Sequence, residues 1–157
     1  MLRPIALAAL LAVIAPAQAN EPAAPSADYG KTVSIIGACH DCHTADYAER
    51  AGVINPDTAL KGSPVGFQGP WGTTYAINLR VLAAGLNEDA WLKYLQASTA
   101  RPPMPFYNLH ALDEIQLRSL HRYIVSLGAP GDPAPAFVPP GQKPVFPYTV
   151  IAPPVMP

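Results

Sequence analysis

"GACHDCHTADY", residues 37–47, holds both cysteines of the chain and two of its four histidines. Cys39 and Cys42 stand three positions apart, and His43 follows the second thiol directly. Three chemistries use such a stretch: a dithiol–disulfide switch, a structural metal knot, and a covalently attached haem.

The order of residues separates them. A thioredoxin-like switch places its CxxC at the end of a strand in a βαβ pattern, whereas the flanking sequence here reads as helix and loop. A structural zinc site takes four ligands, typically from two separated pairs, and this chain has a single cysteine pair. CxxCH is the sequence form of haem attachment, in which two thiols from one turn bond the ring and the next imidazole ligates the iron. Cys39, Cys42 and His43 are therefore assigned to one haem c.

The second axial position needs another ligand. Met1 falls in the N-terminal apolar segment and Met156 lies next to the last residue, which leaves Met104 in "RPPMPF", residues 101–106. Prolines on both sides restrict the backbone there and hold the thioether in place. A sulfur ligand favours reduced iron and raises the potential. Metal ligation is thus expected from His43 and Met104, with His110 as the runner-up. His40 is expected to point to solvent, and His121 to be a satisfied, partly buried histidine. The free ring nitrogen of His43 calls for a backbone carbonyl, expected near Pro64 in "KGSPVG". Trp71, Tyr75, Asn78 and Arg80 are candidate donors to the haem carboxylates.

Working outward, residues 1–19 carry one charge, Arg3, then an apolar run, Pro16 and the triplet Ala17-Gln18-Ala19. That is the layout of a cleavable secretory signal, so the mature chain is expected in the periplasm with no membrane span. In an oxidising compartment two thiols pair or are captured. The net charge of −1 offers no basic face for nucleic acid.

Residues 20–26 read as a flexible leader and 27–128 as the domain. A first helix over 27–38 is marked by Tyr29, Val33 and Ile36, with Ser26 or Asp28 as cap. Asn87 caps a second, with Glu88 and Asp89 in its first turn. Asp113 and Gln116 form a capping box for a third, whose face is Leu117, Leu120, Ile124 and Leu127, and Gly128 ends it. Between 44 and 78 the periodicity dissolves, as in a segment that wraps something large and apolar. Prolines 102, 103 and 105 argue against helix in the methionine loop. Ten of the twenty prolines lie at or beyond Pro130, so residues 129–157 read as an extended tail. Phe137, Val138, Phe146 and Tyr148 are large for a linker and predict that part of it packs on the domain.

With CxxCH after a first helix, an irregular segment, a methionine loop and a last helix, the chain resembles class I c-type cytochromes. "GPWGTTYAINL" (69–79) and "PPMPFYNLHAL" (102–112) are similar to the haem domains of cytochrome subunits that serve periplasmic alcohol and aldehyde dehydrogenases. The likeness covers roughly residues 27–128. It implies an all-α fold of three to four short helices around one haem, with the first and last helices crossing. It also implies a single-electron carrier, not an enzyme, between a periplasmic dehydrogenase and a downstream cytochrome or oxidase. Those subunits usually carry three haems and continue differently after the Asn-Leu pair at 78 and 79. The alternative function is a haem protein with a labile sixth ligand, a peroxidase or gas sensor, with Arg101 and His110 bracketing the methionine loop.

Overall fold

The computed structural model describes residues 24–153. The expected signal segment, the start of the leader and Met156 lie outside them. Six helices and three short strands follow in the order α1 (Ala27–Ile36), α2 (Cys39–His43), β1 (Gly66–Gly69), β2 (Gly72–Tyr75), α3 (Leu79–Ala84), α4 (Glu88–Ala97), α5 (Phe106–His110), α6 (Glu114–Ser126) and β3 (Tyr148–Val150). Among the described residues no helix is long and apolar enough to cross a membrane.

Each longer helix starts where a short polar side chain can take an orphan N–H. Ser26 accepts from Tyr29 N at the head of α1, Asn78 from Arg80 N and Val81 N at α3, and Asn87 from Ala90 N at α4. On α6 the Asp113 carboxylate accepts from Gln116 N, while the Gln116 side chain accepts from Asp113 N. Gly128 follows α6 at φ +86°, a conformation glycine adopts without steric cost.

α1 packs most extensively on α6, and α3 and α4 also lean on α6. The core between them holds Trp91, Leu95, Leu117, Leu120, Tyr123 and Ile124 with Leu60 and Ala83. Trp91 is buried whole, and its indole Nε1 donates to Leu117 O at 2.9 Å, so its burial leaves no polar atom unsatisfied. Outside the core, Arg122 pairs with Glu88, and Arg118 with Asp89 and Glu114. The Arg122–Glu88 and Arg118–Asp89 pairs join α6 to α4, whereas Arg118–Glu114 lies within α6; surface pairs of this kind add little stability.

The sheet was not expected. β1 lies in the middle, antiparallel to β2 with Gly66 opposite Tyr75 and Gly69 opposite Gly72. It is parallel to β3, with Gly66 opposite Tyr148 and Gln68 opposite Val150. Strands of three or four residues are too short to display a period of two, and β3 is exposed along its length, so no alternation marks it. Helix α5 was likewise unforeseen in the methionine loop. Its prolines all precede Phe106, and Pro105 sits at the N-cap, where a missing N–H costs nothing.

The proline-rich tail is woven into the domain through backbone bonds. Thr73 and Val138 exchange N–H···O bonds of 2.8 and 3.0 Å. Gly66 N donates to Pro147 O, Ile151 N to Gln68 O, and Tyr75 Oη to Phe146 O. Gly72 permits the approach: at φ +104°, an added Cβ would lie 2.4 Å from Val138 O. A boundary at Gly128 therefore does not separate two independent parts, although Val145 remains 92% exposed.

Candidate cofactor site

Ala38, at φ +57°, turns the chain sharply between α1 and α2, so the thiols and imidazoles emerge from a single helical turn. Cys39 and Cys42 are not joined to each other in a disulfide. Burial pushes Cys39 up to about 11 and Cys42 upward as well, with Asp41 adding to both shifts, which keeps them protonated.

His43 is 7% exposed, and its Nδ1 donates to Ile77 O at 2.8 Å. The tautomer with hydrogen on Nδ1 leaves Nε2 as a bare lone pair, the form a metal requires. Burial lowers the ring's proton affinity, partly offset by the Ile77 carbonyl. The carbonyl partner is thus Ile77 rather than the Pro64 region. The "KGSPVG" segment instead serves the His43 backbone, whose oxygen accepts from Gly62 N at 2.8 Å.

His43 and Cys42 form part of the wall of a cavity of about 430 Å³, within the range of cofactor sites. Leu82, Leu95 and Leu109 line another part, Phe67, Tyr75 and Ile77 a third, and the tail supplies Ala134, Pro135, Ala136 and Phe137. Met104 lines the same cavity, beside Pro103 and Phe106. Its loop is closed by Met104 N on Arg101 O and by Phe106 N on Met104 O. The cavity therefore brings His43 and Met104 together on one apolar space.

The other histidines lie elsewhere. His110 Nε2 bonds Ser98 O at 3.0 Å and does not line the cavity, which removes it as the alternative ligand. His121 is buried against Trp91, with Nε2 directed to Leu86 O and Ala83 O. His40 contradicts its expectation outright. It is fully buried, bonded through Nδ1 to Thr44 Oγ1 and through Nε2 to Ser34 Oγ, and stacked on Tyr47. The turn is short enough that its inner side faces α1 rather than water.

Three of the four candidate carboxylate donors are committed to the fold. The buried Arg80 guanidinium donates to Ala59 O and Leu127 O, and to Pro56 O. Asn78 Nδ2 donates to Pro130 O and Asp132 O of the tail, and Tyr75 is spent on Phe146. Trp71 Nε1 is buried without a partner but lies off the cavity wall. Thr74, not singled out from sequence, has a buried Oγ1 with no partner and lines the cavity.

Among the described residues, no three His, Cys, Asp or Glu side chains converge as a cage for a bare ion. One imidazole and one thioether suit a metal that brings its other ligands in a macrocycle. The apolar wall, the bare Nε2 and the Met104 sulfur fit a haem. Family models, curated proteins and solved structures yield no match to this chain.

Proposed function

We propose that the chain is a monohaem c-type cytochrome, a periplasmic single-electron carrier between a dehydrogenase and the respiratory chain. One observation carries the reading: the imidazole of the CxxCH turn is fixed by Ile77 O on the wall of the cavity that also holds Met104. When bound, the haem supplies an iron that gains and loses one electron at a time.

The side chains have separate tasks. Cys39 and Cys42 would hold the haem covalently through their sulfurs. His43 presents Nε2, and Ile77 O fixes its ring plane and raises its basicity. Met104, on the same cavity wall, would offer the metal a soft sulfur that favours its reduced state. Leucines 82, 95 and 109 line the cavity and would keep water from the metal. The peroxidase or sensor alternative rested on Arg101 and His110, and only Arg101 reaches the cavity.

Substituting Met104→Ala tests the ligation. The oxidised variant is expected to lose the iron–sulfur charge-transfer band and to have a lower midpoint potential. A wild-type spectrum in that variant would assign the position to another residue.

A further inference from the structure

The three-stranded sheet has two outer sides, and they are treated differently. On the β2 side the tail returns, and Thr73 and Val138 bond each other both ways. The other side is β3, exposed along its length. Backbone groups of successive strand residues point to alternate sides. Pro147 O accepts from Gly66 N and Ile151 N donates to Gln68 O, so the odd-numbered residues of 147–151 face β1. The N–H and C=O groups of Tyr148 and Val150 therefore point outward, and among the described residues no hydrogen bond reaches them. Edges of this kind are ordinarily guarded by charged side chains, yet residues 144–153 carry none. Pro147 stands at an inward position, where its missing N–H takes nothing from the outer edge. Val145 and Val150 leave apolar surface exposed beside it.

We propose that β3 is a dimer contact: β3 of a second copy pairs with it antiparallel, across a two-fold axis at Thr149. The strand is its own complement. With Thr149 facing its counterpart on the axis, Tyr148 meets Val150 of the second copy, and Val150 meets the second copy's Tyr148. Both are pairs that exchange N–H···O bonds each way, so the open groups of both strands are satisfied. The contact is isologous and closes after two copies. Charge selects the occupant: with no ionised side chain in residues 144–153, the edge neither steers a charged partner nor repels its own copy. Strands this short make a small interface, so the dimer is a weak one that forms as concentration rises. The contact does not depend on the haem reading, because β3 is no part of the cavity wall.

The test follows molecular mass against concentration by sedimentation equilibrium, using the protein as purified and its Thr149→Lys, Thr149→Glu and Val150→Pro variants. The wild type is expected to pass from monomer to dimer as concentration rises through the micromolar range. Thr149→Lys sets like charges directly opposite each other at the axis and is expected to weaken association about tenfold or more. Thr149→Glu is expected to do the same. An equimolar mixture of the two is expected to regain dimers, because lysine then faces glutamate. Val150→Pro removes an N–H that β1 does not use, so it is expected to lose the dimer while keeping the wild-type thermal midpoint. Should Val150→Pro fold poorly, the lysine–glutamate mixture decides alone, since Thr149 is exposed in the monomer: regained dimer supports the contact, and continued monomer overturns it. A wild type that stays monomeric at every concentration overturns the contact and leaves the edge to a strand of another protein. Dimers of wild-type strength in both Thr149→Lys and Thr149→Glu place the interface elsewhere and overturn it too.

Discussion

His40 and His43 stand three residues apart in one turn and meet opposite fates. His43 turns to the cavity with one nitrogen free, while His40 is enclosed with both nitrogens bonded to hydroxyls. Ser34 Oγ donates to Lys31 O, so His40 Nε2 donates to Ser34 Oγ and Nδ1 accepts from Thr44 Oγ1, which satisfies the neutral ring. Burial drives its pKa down to about 4 from 6.5, against a weaker opposing pull from Asp41. The folded state then binds fewer protons than the unfolded one between these values, so this contribution is complete above about 6.5 and is lost as pH falls toward 4. His40→Leu is expected to destabilise the holoprotein by about 1–3 kcal/mol, read from denaturant midpoints. An unchanged midpoint would contradict a structural role. The sequence could not reveal which histidine faces inward. Spacing marks His43 as the ligand, but the hydroxyls that enclose His40 come from Ser34 and Thr44 on either side of the turn.

At the level of elements, the sharpest constraint is the contact between α1 and α6. Gly30 lies against Ser119, and an added Cβ would fall 1.9 Å from Ser119 O and 2.8 Å from Tyr123 Cβ. The obstacle is backbone, which cannot swing aside as a side chain could. Gly30→Ala should therefore separate the helices and cost about 1–3 kcal/mol or more, despite alanine's better helix propensity. A variant as stable as the wild type would mean that this contact is dispensable. Elements of this length are the ones that sequence displays. The capping box and apolar stripe of α6 and the Asn87 cap of α4 could be read directly, because thirteen and ten residues suffice to show a period. β1, β2 and β3 could not. β1 and β2 form a local hairpin of strands too short to show a period, and β3 reaches β1 from the distant tail, Gly66 lying opposite Tyr148, so no local pattern encodes that partner.

On the scale of the whole molecule, the cavity sets the balance. A cavity of about 430 Å³ with leucine and aromatic walls leaves those side chains without packing partners when nothing fills it. The chain without its haem is thus expected to collapse inward or unfold. Cys39→Ala/Cys42→Ala protein purified without haem should melt broadly and without cooperativity. A sharp thermal transition in that protein would show that the side chains alone complete the core. The tail belongs to the same balance, since residues 134–137 form one wall. Its large side chains were a sign that it packs, but which wall it builds depends on Gly72 and Thr73 receiving Val138.

The central claim is that a porphyrin is bonded through two sulfurs to the turn between Cys39 and Cys42. Intact-mass measurement of the protein after acid–acetone extraction addresses it directly. The account predicts the polypeptide plus one haem, retained through extraction. A mass equal to the polypeptide alone, with thiols free or paired, would contradict it.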